Sequence, residues 1–113
     1  MANFPLSPYK KAGSTHYISG QIGQENGQLV SENISEQTTR AIANIATILE
    51  QNGLEISDVV DVTAFLTEQS DYEAFNEAYR QGFKEPFPTR TTVTVKSLPL
   101  GARVELKAIA FKD

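Results

Sequence analysis

The feature that most narrows the choice of fold is the C-terminal third, where two β-prone runs flank a Pro-Gly turn. Residues 89–95 read Thr-Arg-Thr-Thr-Val-Thr-Val, 98–101 read Leu-Pro-Leu-Gly, and 103–111 read Arg-Val-Glu-Leu-Lys-Ala-Ile-Ala-Phe. β-branched residues with period-two alternation specify strands, and a Pro-Gly pair between such runs specifies a reversal, so the stretch predicts a hairpin. Alternation puts Arg90, Thr92 and Thr94 on one face of the first strand and Val93 and Val95 on the other. In the second strand Val104, Leu106, Ala108 and Ala110 form an apolar face, opposite Arg103, Glu105, Lys107, Ile109 and Phe111. On this reading Arg90 and Glu105 share one face of the sheet. A simple register centred on Pro99 sets Arg90 opposite a residue near Ile109, several positions from Glu105, so the two meet either across a bulge or across subunits.

Upstream, Thr15 to Ile22 alternates as a strand, and Glu25-Asn26-Gly27 turns the chain into Gln28-Leu29-Val30, which predicts a first hairpin. Gly20 inside that strand marks either a bulge or a place where a ligand approaches the backbone. Asn33 with Glu36 forms a capping box, and Ala41, Ile42, Ile45, Ile48 and Leu49 recur at helical spacing until Gly53. Thr38 and Thr39 are expected to face solvent. Val59 to Thr67 reads as a central strand, with Val60, Val62, Ala64 and Leu66 on one face and Val59, Asp61, Thr63 and Phe65 on the other. Ser70 with Glu73 suggests a second capping box, followed by Tyr72, Phe75, Ala78 or Tyr79, and Phe83 at helical spacing, with Gly82 and Pro86 as the stop.

The order β-β-α-β-α-β-β, in one domain over residues 1–113, predicts an α+β fold: a mixed β-sheet with two α-helices packed on one face. The other face then carries Tyr17, Phe65, Ile109 and Phe111 among Asp61, Arg90, Glu105 and Lys107, a pattern expected of a partner surface, most simply a homo-oligomer.

Composition removes most chemistries. The chain has no cysteine and one histidine, His16, so neither a thiol nucleophile nor a multi-histidine metal site is available, and no metal or cofactor is expected. No Gly-rich phosphate loop and no Ser-His-Asp set is present. The net charge of −4, with Lys10-Lys11 the only basic pair, opposes nucleic-acid binding. Residues 1–11 contain Pro5 and Pro8 and lack the apolar core of a signal peptide, and no run is long enough to span a bilayer, so the expectation is a soluble, cytoplasmic protein with no membrane association.

Four segments together carry a family resemblance: Tyr17-Ile18-Ser19-Gly20-Gln21-Ile22, Asp58 to Thr67, Pro88 to Val95, and Leu98-Pro99-Leu100-Gly101 with Val104 to Ala110. In this order and spacing the chain resembles the RidA (YjgF/YER057c/UK114) family of reactive-intermediate deaminases over nearly its whole length. The resemblance implies a chorismate-mutase-like fold, a homotrimer with sites in the clefts between subunits, and cofactor-free hydrolysis of 2-imino acids, small-molecule carboxylates, to 2-oxo acids and ammonia. It implies that Arg90 holds the substrate carboxylate and that Glu105 directs water. It also places substrate-contacting groups at Ser19, Gly20 and Thr92, with an asparagine common at the position of Asn76. One departure stands out: the segment Pro5-Leu6-Ser7 carries Leu6 where many deaminases have a tyrosine, which favours, as an alternative, a 2-oxo-acid-binding regulatory trimer with little catalysis. An RNA-directed activity, ascribed to some members, is disfavoured by the acidic balance.

Overall fold

A computed structural model describes residues 4–113. Five strands form one mixed sheet in the order β1-β2-β7-β5-β6, where β1 is Tyr9–Ala12, β2 Thr15–Ile22, β5 Val59–Leu66, β6 Thr89–Thr94 and β7 Val104–Phe111. A separate two-stranded ribbon joins β3 (Gln24–Glu25) to β4 (Gln28–Leu29). Two helices, α1 (Ile34–Gln51) and α2 (Tyr72–Gly82), cover one face, and the molecule is a slab with a short dimension of 20 Å, the thickness of one sheet plus one helical layer. The α+β expectation and the position of the helices agree with this architecture. The core lies between the layers and joins Ile18, Val62, Ala64, Leu66, Leu106 and Ala108 of the sheet to Ala41, Ile45 and Leu49 of α1 and Phe75 and Tyr79 of α2.

The strand pairing differs from the expectation in two places. The runs at 89–95 and 103–111 do not form a hairpin: β6 pairs in parallel with β5, and β7 runs antiparallel between β5 and β2. A parallel neighbour needs a crossover, and α2 supplies it between β5 and β6. The Pro99–Gly101 segment is a single helical turn that carries the chain from the sheet edge back to its centre. Likewise β2 pairs with β1, not with residues 28–30, which close their own small ribbon.

Local details follow from where polar groups find partners. Asn33 caps α1, its Oδ1 accepting from the Glu36 N–H at 2.9 Å. Thr39 is exposed, but Thr38 is fully buried, contrary to expectation; its hydroxyl donates to the Ile34 carbonyl at 2.8 Å, so no orphan polar group enters the core. The expected Ser70–Glu73 box is absent. A short helical turn over Gln69–Asp71 leads into α2, and the Asp71 carboxylate, instead of capping it, accepts Arg103 Nε at 3.0 Å and Nη2 at 2.9 Å. In β5 the alternation holds from Val62 to Leu66, but a register shift between Val59 and Asp61 buries Val59 and leaves Val60 exposed, the reverse of their expected faces.

Candidate functional site

The ladder registers decide which side chains can meet. One cross-strand row runs Ala108–Val62–Arg90 and the next Leu106–Ala64–Thr92, and both belong to the buried, helix-facing side. The row between them, Lys107–Thr63–Thr91, and the row beyond them, Ile22–Glu105–Phe65–Val93, belong to the opposite side. Arg90 and Glu105 therefore lie on opposite faces of the sheet, with β5 between their strands, and the expectation of a shared face is overturned. The apolar residue of β6, Val93, is exposed on the open face, while Arg90, Thr92 and Thr94 face the helices. An edge strand next to the end of the helical layer can reverse the usual polarity, because its inner face opens onto a groove instead of the core.

Around Arg90 the chain builds a cationic pocket. Helix α2 sets Tyr72, Phe75 and Tyr79 at helical spacing, and their ring centroids stand 5.8, 5.1 and 4.7 Å from the guanidinium carbon, within cation–π range. Arg90 Nη2 also donates to the Tyr72 hydroxyl at 3.3 Å. The ion pairs among the described residues, Arg40–Glu25 and Arg103–Asp71, do not include Arg90. Its positive charge is thus oriented by aromatic faces and left without an internal counter-ion, an arrangement that suits an incoming carboxylate held by two parallel N–H donors.

Arg90 stands between two hollows. One, of about 540 Å³, is lined by Leu66, Gln69, Tyr72, Arg90, Thr92 and Thr94; the other, of about 290 Å³, is lined by Asn76, Tyr79, Arg80, Phe87, Pro88 and Arg90. The structure thereby gathers Arg90, Thr92 and Asn76 on one side of the sheet. The hydroxyls of Thr92 and Tyr79 are buried without a hydrogen-bond partner. Burial pushes the Tyr79 phenol up to about 12, against a smaller opposing pull from Arg90, so it stays protonated through the physiological range.

Glu105, Gly20 and Ser19 form a second cluster. The ladder between β2 and β7 shifts between Ile18 and Gln21, which identifies Ser19-Gly20 as a bulge. A Cβ on Gly20 would lie 2.0 Å from Glu105 Oε2 and 2.8 Å from its Cδ, so the missing side chain makes the space that the carboxylate occupies. Burial raises the Glu105 carboxyl above its ordinary range, which makes it a stronger base once ionised. Ser19 is engaged within the chain: its hydroxyl donates to the Ser7 carbonyl at 2.6 Å and its N–H to the Pro8 carbonyl at 3.0 Å. The N-terminal segment is thus tied to the bulge, and its Leu6 is exposed. Tyr9 does not offer a free phenol, because its hydroxyl is 2.8 Å from His16 Nδ1.

Among the described residues no group of three His, Cys, Asp or Glu is placed to hold a metal ion, and no helix is long and apolar enough to cross a membrane. The aromatic box about Arg90 was not assigned to the site from the sequence, where Tyr72, Phe75 and Tyr79 read as a helix stripe. The available signal was their aromatic character on a helix that must cross over to the strand bearing Arg90.

The chain is similar to known proteins over nearly its whole length. The family model described as endoribonuclease L-PSP matches residues 1–112. The human protein named 2-iminobutanoate/2-iminopropanoate deaminase is 39% identical over 112 residues, covering 95% of this chain and 82% of that one. A RutC family protein of Pyrococcus abyssi is 40% identical over 114 residues, 96% of this chain and 90% of its own. Among solved structures, RidA from an Antarctic Psychrobacter superposes with a TM-score of 0.92 at 36% identity, covering 99% of this chain and 92% of that one. The E. coli protein TdcF with bound serine gives 0.91 at 31% identity, covering 99% and 91%.

Proposed function

Because the chain belongs to the endoribonuclease L-PSP family, the RidA/YjgF family, we propose that it hydrolyses reactive 2-imino acids to 2-oxo acids and ammonia without a cofactor. The observation that carries the reading is Arg90: a guanidinium braced by three aromatic rings, without an internal counter-ion, and open to a groove. Its fork takes the substrate carboxylate, and the imine carbon next to that carboxylate is already electrophilic, so the remaining need is a directed water. Glu105 accepts a proton as the water oxygen bonds to the imine carbon and the C=N π pair moves to nitrogen. Attack on the protonated imine gives the neutral carbinolamine; the Glu105 proton then passes to its amino group, and the C–N bond breaks as the hydroxyl gives its proton back to the Glu105 carboxylate and the carbonyl forms, releasing ammonia.

Since Arg90 and Glu105 face opposite sides of one sheet, a site using both takes them from two copies of the chain. A homotrimer with sites between subunits meets that requirement, and the uncovered sheet face, with Tyr17, Val93 and Phe111 exposed, supplies an apolar surface for the contact. Light scattering that returns a monomer mass at micromolar concentration contradicts this assembly. The relative crystallised with serine supports recognition of a small amino-acid-like carboxylate.

Leu6 favours a second reading. It brings an exposed aliphatic side chain, and no hydroxyl, to the segment tied against the Ser19-Gly20 bulge, as suits a trimer that binds 2-oxo acids with little turnover. The family description as an endoribonuclease gets less support, because the net charge of −4 opposes a polyphosphate. The test generates a 2-imino acid in situ with an amino-acid oxidase, traps what remains, and measures 2-oxo-acid binding separately. Arg90→Ala loses binding and turnover, whereas Glu105→Gln keeps binding and loses turnover. Wild type that binds but does not accelerate hydrolysis leaves the binding reading in place of the enzyme.

A further inference from the structure

We propose that Tyr72 determines specificity: its hydroxyl, held against Arg90, donates a hydrogen bond to an oxygen on the side chain of the bound acid. The site then prefers short 2-imino or 2-oxo acids with a hydroxyl on carbon 3 over their methyl isosteres. The inference rests on the carboxylate reading of Arg90 and goes beyond it by naming the substrate side chain.

The direction of one hydrogen bond carries the argument. A guanidinium has only donors, so in the 3.3 Å contact between Arg90 Nη2 and the Tyr72 hydroxyl the phenol oxygen is the acceptor. The phenol O–H is therefore left to donate elsewhere, and donation into its oxygen from a cation polarises it toward doing so. Of the three rings around Arg90, Phe75 is 0% and Tyr79 5% exposed, whereas Tyr72 is 45% exposed and lines the larger groove. Only Tyr72 can therefore present its polar end to a ligand there. Arg90 keeps enough donors for a two-point carboxylate contact, since the phenol uses one of five N–H groups.

A carboxylate on the fork and the phenol oxygen are then neighbours around the same guanidinium, and the substituent on carbon 3 of a 2-oxo acid extends from the carboxylate along the groove. The groove wall suits an oxygen better than a methyl. Gln69, Thr92 and Thr94 join Tyr72 and Arg90 in it, Leu66 is its one aliphatic residue, and the Thr92 hydroxyl is buried without a partner. A site built to hydrogen-bond a substrate hydroxyl discriminates against the analogue lacking it, because its own polar groups would otherwise stay unpaired.

The test uses two probes of equal heavy-atom count, 3-hydroxypyruvate and 2-oxobutanoate, titrated calorimetrically into wild type, Tyr72→Phe and Arg90→Ala. Phenylalanine keeps the ring beside Arg90 and removes only the hydroxyl. Wild type is expected to bind hydroxypyruvate about three- to tenfold more tightly, the worth of one neutral hydrogen bond. In Tyr72→Phe that preference disappears, the affinity for hydroxypyruvate falling to that for 2-oxobutanoate in the same variant. Equal weakening of both probes in Tyr72→Phe overturns the proposal and reduces Tyr72 to a brace for Arg90. Absence of any preference in wild type overturns it as well. If instead wild type binds neither probe, or Arg90→Ala binds both as well as wild type does, the carboxylate reading of Arg90 fails and this proposal falls with it.

Discussion

Replacing Gly20 by alanine tests whether the Glu105 carboxylate works where the structure puts it. The added Cβ falls 2.0 Å from Glu105 Oε2, 2.8 Å from Cδ and 3.1 Å from Cγ, all atoms of one flexible side chain. Restoring van der Waals separation of about 3.4 Å to that oxygen moves the carboxylate by well over 1 Å. Gly20 does not use a left-handed backbone conformation, so the substitution adds no backbone strain of its own. The cost to folding is then a displaced rotamer, about 0.5–1.5 kcal/mol, partly offset by the lower unfolded-state entropy of alanine. For catalysis the same displacement matters far more, because a 1 Å misplacement of a reacting group costs on the order of 100-fold in rate. The variant should therefore melt within a few degrees of wild type, bind a 2-oxo acid through Arg90 with nearly unchanged affinity, and lose roughly two decades of kcat in the coupled oxidase assay. A Gly20→Ala protein that keeps kcat within about threefold of wild type refutes the placement of the base, since about 2.7 kcal/mol of barrier should separate them.

Three further outcomes follow from the same structure. Because burial raises the Glu105 carboxyl, the acid limb of kcat/KM should lie above the range of an exposed glutamate, with activity lost as pH falls through that limb, and a pH profile showing the limb near pH 4.3 would contradict the assignment. The linkage has the opposite sign for folding: the folded state holds the Glu105 proton more tightly, so this group's contribution to stability declines as pH rises from the unfolded pKa through the raised one, and Glu105→Gln should remove that decline in urea midpoints taken across pH. Arg103→Ala leaves the buried Asp71 carboxylate without its fork; with the Arg103 side chain 39% exposed, the loss should be about 2 kcal/mol, below the full value for a buried pair. Urea unfolding at fixed protein concentration, in a cycle with Asp71→Asn, checks it, and a coupling near zero would show the pair to be incidental.

The helices were largely legible in the sequence, and the pairing of the strands was not. Asn33 and the stripe from Ala41 to Leu49 signal α1 because a cap and a 3.6-residue period are local properties. Thr38 is polar yet buried, a combination that polarity alone does not reveal, because its hydroxyl closes on its own helix. Gln37 is buried on the same principle, donating to the Ser31 carbonyl and accepting the Arg103 N–H. Alternation identified Val62, Ala64 and Leu66 as inward residues but could not foresee the shift that exchanges Val59 and Val60. The larger error concerned β6 and β7. Alternation says which residues of one strand share a face, but not which strand lies beside it, and the Leu98–Gly101 turn imitated a hairpin while β5 took the place between them. The valine of β6 points away from the core, and on this edge strand the helix-facing side carries Arg90 and Thr92. Resemblance supplied Arg90, Glu105 and Gly20 as residues of interest. Only the ladder registers separate Arg90 from Glu105, and only the close approach at Gly20 explains its lack of a side chain.

The central claim is that one working site takes Arg90 from one copy of the chain and Glu105 from another, and subunit mixing tests it most directly. Arg90→Ala and Glu105→Gln proteins, each inactive alone, are unfolded together at equal concentration, refolded, and assayed for 2-imino acid hydrolysis beside each variant refolded separately. In a cyclic trimer each interface joins an intact Arg90 to an intact Glu105 in about one of four random pairings, so the mixture should regain roughly a quarter of wild-type activity. A mixture that forms mixed oligomers yet stays as inactive as its components would show that both residues must come from one chain, and the account would be wrong.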